Sequence, residues 1–416
     1  MGTKGAARTQ AFIQEVAAGV AEAAFEVTLW DGTSFDSVPG KAPRFRLHLR
    51  REDALRRMLA WPTDRSICEA YIQDVYDLEG DMDEVFAVAE ALGRDGLRGR
   101  RASAFRRFLG LPRAKGTVPG AEAAVRVGRF RTREGDQAAI AFHYDVSNEF
   151  YAAWLDSRMV YSGAYYTSED QSLEDAQLAK LNHICQALRL KPGDRMLDIG
   201  CGFGALAIHA AQHFEARVLG VTLSERQAAY ANSRIEELGL SERCEVRLQD
   251  YRDLAADGSY DAVSSIEMLH HVPEADVPAY FAHTSGLLKP GGRSLHLAIT
   301  TAPGNTKQPR FSRAYFMPDV SLVTLSTYLQ HAEEARFDIL SVRGLREQYR
   351  LTARAWLERL EAAHDLAVRE VGESRYRVWR LSIALMAHAF RTSALRFHHL
   401  VIQKRGGVVD LTLPIE

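Results

Sequence analysis

The sequence predicts an α/β protein, with a doubly wound sheet in its larger C-terminal part preceded by a smaller α+β domain. Three observations carry that prediction. From Leu188 onward, short apolar runs of strand length alternate with helical runs, the pattern of a mostly parallel sheet with helices on both faces. One of those strands, Arg195 to Ile199, runs straight into the glycine-rich turn Gly200-Cys201-Gly202-Phe203-Gly204. At 416 residues, the chain is also longer than one core of ordinary size requires, so two domains are expected.

Taken in order, Met1 to Ala24 has no continuous apolar stretch. Phe25 to Leu49 then alternates as strands do (Phe25, Val27, Leu29; Phe45, Leu47, Leu49), broken by the turn pairs Asp31-Gly32 and Pro39-Gly40. Helical spacing follows at Ala54, Leu55, Met58 and Leu59, and again from Ile72 to Leu92, with Val75, Leu78, Val85 and Val88 among acidic residues. The first domain, 1–93, therefore ends near Gly93. A basic linker, 94–138, begins with Arg94, Arg98, Arg100, Arg101, Arg106, Arg107, Arg113 and Lys115 against the single acid Asp95, with Phe105, Phe108 and Leu109 at helical spacing. Segment 94–115 reads either as a solvated connection or as an attachment to an anionic membrane surface, where each basic residue contributes roughly 1 kcal/mol and Phe105 and Phe108 enter the interface.

The third part, 139–416, holds the alternation: strands at Arg195 to Ile199, Arg217 to Thr222, Cys244 to Leu248, Ala262 to Ile266 and Arg293 to Thr300. Helices are expected at Gly204 to Phe214, Glu225 to Leu238 and Val277 to Leu288. Leu345 to His399 reads as two long helices, with a last strand at Leu400 to Gln403.

Bulk composition narrows the function classes. A formal charge of −2 with 46% hydrophobic and 25% charged residues is that of a globular enzyme and predicts no nucleic-acid partner. No segment reaches the roughly 20 apolar residues that span a bilayer, so a cytoplasmic protein, peripheral at the inner membrane surface, is expected. Cys68, Cys185, Cys201 and Cys244 lack metal-ligand spacing and are read as reduced thiols, with no metal site.

The strongest motif is Asp198-x-Gly200-x-Gly202-x-Gly204 at a strand end, where glycines permit unusual φ and close backbone approach to a ligand. It lacks the spacing of a dinucleotide fingerprint and resembles class I S-adenosylmethionine-dependent methyltransferases. Thr222-Leu223-Ser224 with Gln227, and then Gln249-Asp250-Tyr251, stand at the ends of the next strands. One crevice would so collect hydroxyl, amide, carboxylate and aromatic groups. Helix capping explains Thr222 or Gln227 singly, but not the ordered series.

The order of further motifs makes the resemblance specific. His143-Tyr144-Asp145-Val146-Ser147-Asn148-Glu149-Phe150-Tyr151 and Met159-Val160-Tyr161-Ser162-Gly163-Ala164-Tyr165-Tyr166 precede the glycine turn. Gly220 to Ser224, Arg247 to Tyr251, and Leu345 to Tyr349 with Trp356 follow it. From about Ala139 to the C-terminus the chain resembles cyclopropane fatty-acid synthases and mycolic-acid cyclopropane synthases. The resemblance implies a Rossmann-like methyltransferase domain using S-adenosyl-L-methionine, and an unsaturated acyl chain of a membrane phospholipid as substrate. It also implies a lipid-facing or homodimer-forming first domain, and a cofactor pocket lined by Tyr161, Ser162, Gly200, Gly202, Thr222, Leu223, Gln227, Gln249, Asp250, Tyr251 and Ile266. In that family a bound bicarbonate takes the proton released after methyl transfer. Aromatic faces suit the cation that precedes proton loss, and Phe142, Tyr161, Tyr165 and Tyr166 are candidates.

The bicarbonate residues are where this sequence departs. The expected cysteine is Gly163, a position the family uses partly through its main chain. The expected glutamate is His270, in Ile266-Glu267-Met268-Leu269-His270-His271. The expected histidine aligns with Leu297, and its neighbour His296 should face away by strand alternation. Tyr349 remains. Bicarbonate is then either held differently or replaced by a protein base, with Glu267 and His270 as candidates beside Tyr349. Proton loss from the transferred methyl gives a cyclopropane or methylene product, and loss from a neighbouring chain carbon gives a methyl-branched one. Two other readings stay open: C-methylation of a soluble small molecule, and a non-catalytic lipid-binding protein.

Overall fold

The computed structural model describes residues 2–20, 23–61, 63–95, 101–114, 116, 118, 123, 146–304, 308–318 and 320–407. The motif His143-Tyr144-Asp145, Phe142, and the basic residues Arg98, Arg100 and Lys115 lie outside them. The chain forms two compact units that are discontinuous in sequence. One comprises Met1–Ala123, Pro309–Phe316 and Val371–His388; the other comprises Ala124–Gln308, Met317–Glu370 and Ala389–Glu416.

The smaller unit is built on a four-stranded sheet of order β2-β1-β3-β4, from β1 (Glu26–Thr28), β2 (Ser34–Asp36), β3 (Phe45–Leu49) and β4 (Tyr76–Gly80). Alternation places Phe45, Leu47 and Leu49 on its buried face. The helical reading of Ile72 to Leu92 is corrected. Helices Asp64–Ile72 and Met82–Asp95 flank β4, which pairs antiparallel with β3. Asp74, at φ 54°, turns the chain out of the first helix, and Tyr76 and Leu78 are buried at strand period, a spacing that short apolar runs share with helices. Val371–His388 joins this unit through Arg377, whose buried guanidinium pairs with Asp77 at 3.1 Å and Asp74 at 2.9 Å. A contiguous division ending near Gly93 could not foresee this.

Over its described residues the basic stretch is not a free connection. Arg101–Leu109 is a helix packed on the helix Gly2–Ala17, with Arg107 paired to Glu15. Phe108 is held between Phe12 and the Arg56 guanidinium, which lies 4.4 Å from its ring, so it is not presented outward. Phe105 and Leu109, one turn apart, are exposed.

The larger unit carries a seven-stranded sheet of order β10-β11-β9-β8-β5-β6-β7. Its strands are β5 (Arg195–Ile199), β6 (Arg217–Thr222), β7 (Cys244–Leu248), β8 (Tyr260–Ile266), β9 (Leu288–Thr301), β10 (Phe337–Gly344) and β11 (Leu395–Lys404). β7, β6, β5, β8 and β9 run parallel, and β11 is antiparallel to both β9 and β10. This is the doubly wound, Rossmann-like arrangement. The strands predicted from β5 to β8 stand within two residues of their observed bounds, whereas three helices, Arg346–Ala362, His364–Val371 and Glu373–Arg391, replace the two expected. β11 also begins five residues earlier than read, because it must match the long β9 that it pairs along from Leu395↔Thr301 to Gln403↔Arg293.

Candidate active site

β5 pairs with β6 on one side and β8 on the other, so chain order reverses there and opens a crevice beyond the carboxyl ends of both strands. Gly200, Gly202 and Gly204 follow β5 with φ of 72°, 55° and 81°, all left-handed. A Cβ on Gly204 would stand 2.8 Å from the Ala231 Cβ, so this glycine closes the helix Ala205–His213 onto the next helix. Nothing lies within 4 Å of the space above Gly202, an open cradle next to bare backbone.

At the end of β6, the Thr222 hydroxyl donates to the Gln227 Oε1 at 2.9 Å and accepts from the Ser224 N–H at 3.2 Å. Ser224 caps the helix Glu225–Glu237. Gln249 follows β7 and donates its N–H to the Thr222 carbonyl. Asp250 accepts from the Arg252 guanidinium at 2.6 Å, a partner not foreseen from sequence, and Tyr251 packs on Tyr280. Ile266 ends β8. The predicted cofactor residues on these strands therefore share one end of the sheet. An open glycine cradle followed by hydroxyl, amide and carboxylate fits an amino-acid-bearing nucleoside.

Tyr161 and Ser162 reach the site on the strap Val160–Tyr166, which helices fasten from two directions. From the helix Leu173–Ala187, Gln177 donates to the Ser162 carbonyl at 2.8 Å and the Lys180 ammonium to the Ser162 hydroxyl at 2.6 Å. From Arg346–Ala362, the Thr352 hydroxyl accepts the Ala164 N–H at 2.9 Å and the Gln348 amide donates to the Tyr166 carbonyl at 3.0 Å. Tyr161 lies in an aromatic cluster with Tyr151, Trp154 and Trp356, at centroid distances from 5.3 to 5.7 Å. Tyr165 instead packs against His183 and His399.

The candidate acid–base group gathers just past β8. Glu267 has φ 56°, a left-handed conformation that costs a non-glycine residue about 1 kcal/mol or more. Its N–H is tied to the Leu297 carbonyl at 2.8 Å. The carboxylate accepts the Gly163 N–H at 2.6 Å on one oxygen and the Tyr349 hydroxyl at 2.7 Å on the other. Burial pushes this carboxyl above its ordinary range, while the Gly163 N–H, the Tyr349 hydroxyl and the nearby charges of Lys180 and His271 pull it back.

The structure thus brings Glu267 and Tyr349 together. His270 is buried in the following turn, its ring 4.5 Å from that of His271 and its carbonyl accepting the Ser321 N–H. His296 does point away: it packs on Tyr280 and Phe281, and burial drives its imidazole down to about 3. Gly163 has a steric reason to be glycine, since a Cβ there would meet Phe397 at 2.8 Å and Tyr349 at 2.9 Å. Gln177, Lys180, Gln348 and Thr352 were missed from sequence. The available signal was a glutamine and a lysine on the apolar stripe Leu173, Ala176, Leu181, Ile184.

A sheet of this order, with a glycine cradle at its switch point and polar groups on the adjoining strand ends, defines an S-adenosylmethionine-dependent methyltransferase. Comparison with known proteins agrees. Residues 131–400 match the family described as mycolic acid cyclopropane synthetase. A probable fatty acid methyltransferase of Pseudomonas putida is 33% identical over 381 residues, covering 90% of this chain and 91% of that protein. The cyclopropane-fatty-acyl-phospholipid synthase of Escherichia coli K12 is 34% identical over 262 residues, 63% of this chain and 66% of that one. Among solved structures, the cyclopropane synthase MmaA2 from Mycobacterium tuberculosis superposes with a TM-score of 0.61 at 25% identity, over 64% of this chain and 98% of that one. Mycolic acid cyclopropane synthase CmaA1, solved with SAH and CTAB, gives the same TM-score and coverage at 26% identity. The chain belongs to the mycolic acid cyclopropane synthetase family; it is a methyltransferase that uses S-adenosylmethionine and acts on lipids.

Proposed function

We propose that the protein methylates the double bond of an unsaturated fatty acyl chain on a membrane phospholipid, with Glu267 as the proton acceptor. The carrying observation is the Glu267 carboxylate, held between the Gly163 N–H and the Tyr349 hydroxyl. These are the two groups that the family resemblance leaves for bicarbonate. With both already donating to a side-chain carboxylate, the chain supplies its own base and needs no added anion. Tyr349 orients that base. His270 is the second candidate, but the donors converge on Glu267.

When bound, S-adenosylmethionine supplies a sulfonium methyl. The protein's part is to hold the acyl double bond in line with it, keep water out while positive charge develops on the chain, and remove a proton. Tyr161, the partly exposed member of the aromatic cluster, suits the second task, since an aromatic face attracts a cation by roughly 0.5 to 2 kcal/mol. Relatives named as fatty acid methyltransferase, tuberculostearic acid methyltransferase and sphingolipid C9-methyltransferase support a methyl-branched product, and those named cyclopropane synthases support a ring.

Attachment to the membrane surface is assigned to the helix Arg101–Leu109, where Phe105 and Leu109 are exposed beside Arg101 and Arg106. Among the described residues no helix is long and apolar enough to cross a membrane.

The test is mass spectrometry of mixed unsaturated phospholipid vesicles after incubation with bicarbonate-depleted protein and methyl-deuterated cofactor. Two deuteriums retained in an acyl chain mean a ring or methylene group, and three mean a methyl branch. Label absent from every chain, with cofactor bound, would overturn the reading in favour of a soluble substrate or a non-catalytic protein. Turnover that appears only when bicarbonate is restored would overturn the role given to Glu267.

A further inference from the structure

We propose that Lys180 is a positioning residue of the methyl-transfer site: its buried ammonium, bonded to the Ser162 hydroxyl, holds the Ser162–Gly163 peptide and the Glu267 carboxylate bonded to it in the proton-accepting arrangement. This inference rests on the reading of Glu267 as the acceptor. Lys180 is 1% exposed, on the stripe of its helix that otherwise presents Leu173, Ala176, Leu181 and Ile184. Lysine is almost never buried this completely without a partner, and burying its charge costs free energy that only nearby charges and hydrogen bonds offset. A leucine would pack there without that cost, so the ammonium has a use.

The geometry supplies one. Lys180 donates to the Ser162 hydroxyl at 2.6 Å, and Gln177, one turn earlier, donates to the Ser162 carbonyl at 2.8 Å. Residue 162 is therefore gripped at side chain and main chain by one rigid helix. The next N–H along the strap, that of Gly163, is the one that holds Glu267 at 2.6 Å. Lys180 thus acts on the base through a single peptide unit.

Charge acts in the same direction. The ammonium lies among the buried carboxylates of Glu267, Asp156 and Asp198. Asp156 is engaged by the Val160 and Arg158 N–H groups, and Asp198 by the Ser264 hydroxyl. Glu267 is faced by Tyr349 from Arg346–Ala362, by Lys180 from Leu173–Ala187, and by His271 from its own turn. Burial alone favours a protonated, useless Glu267; the Lys180 charge opposes it, and burial in turn pushes the ammonium below its ordinary range. Because the base must be ionised to accept a proton, loss of the Lys180 charge should move the acid limb of the rate profile to higher pH.

The experiment measures kcat at saturating S-adenosylmethionine, with dioleoyl phosphatidylglycerol vesicles, from pH 5.5 to 9.5. It compares the parent with Lys180→Met, Lys180→Gln, Lys180→Arg and Glu267→Gln, each checked for cofactor binding. Gln retains a polar, uncharged side chain one atom shorter than Lys, and Arg keeps the charge. For Met and Gln the acid limb should rise by about one unit or more, a roughly tenfold loss on the limb that largely recovers at pH 9.5. For Arg the limb should stay close to the parent's. If Met and Gln lower the rate equally at every pH with an unmoved limb, Lys180 is only structural and the inference fails alone. Should Met not fold, the Gln and Arg pair decides the same question. If Glu267→Gln keeps parental turnover, the reading of Glu267 fails and takes this inference with it.

Discussion

Adding one methyl group at Gly163 should disable the site by crowding Tyr349 and Phe397. The new Cβ would stand 2.8 Å from Phe397 Cε1 and 2.9 Å from Tyr349 Cδ2, where carbon atoms settle at about 3.5 to 4.0 Å, so both rings must retreat by about 0.6 Å or more. Tyr349 has little room to do so. Its ring is stacked on Phe390 at 4.3 Å and meets Phe397 edge-on at 4.9 Å. Overpacking of this kind costs about 1 to 3 kcal/mol of stability. The retreat also stretches the 2.7 Å bond from the Tyr349 hydroxyl to Glu267, and a hydrogen bond to a charged group contributes about 1.5 to 3 kcal/mol. Losing it in the transition state slows turnover roughly tenfold to a hundredfold. The assay is urea unfolding beside single-turnover methyl transfer, for Gly163→Ala, Gly163→Cys and Gly163→Ala with Phe397→Leu. The double variant should recover part of both losses, because Leu frees the space that the Phe397 ring fills. Parental stability and turnover in Gly163→Ala would refute the packing argument, and an unrecovered double variant would place the clash elsewhere.

Three further outcomes are expected. Tyr349→Phe should keep cofactor affinity, measured by calorimetry, while kcat falls about tenfold or more, since only the donor to Glu267 is removed; parental kcat would show that the bond is idle. Asp198 is fully buried and pushed up from 3.8 to about 6 by burial. Its folded-state value lies above the unfolded one, so its contribution to stability is complete below about pH 4 and is lost as pH rises through about 6, on the order of 3 kcal/mol. Asp198→Asn should flatten the pH dependence of urea unfolding across that window in cofactor-free protein, and an unchanged slope would contradict the assignment. Finally, Arg101→Gln and Arg106→Gln should each weaken flotation with anionic vesicles about fivefold at low salt, while Phe105→Ser should weaken it at high salt as well. Binding indifferent to all three would remove this helix from the membrane surface.

Much of the cofactor half was legible in the sequence because its signals are local. β5 to β8 are apolar runs bounded by turn residues, the left-handed backbone at Gly200, Gly202 and Gly204 is written in the glycines, and strand ends bring Thr222, Gln227 and Gln249 to one edge once the sheet is parallel. The small sheet was harder, because Val75 and Leu78 satisfy a helical and a strand period equally over so short a run, and only pairing with β3 decides between them. The candidate acid–base corner was legible as a set of residues but not as an arrangement. Glu267, Gly163, Tyr349 and Lys180 come from four separate elements, and what joins them is a set of hydrogen bonds from two helices to the strap and to Glu267, which no spacing in the chain encodes. Residue type alone makes Glu267 and His270 equal candidates for a base. The tertiary structure gives them different surroundings: donors from Gly163 and Tyr349 and the charge of Lys180 converge on Glu267 and oppose the burial that would keep it protonated, while His270 stacks beside His271 in the following turn.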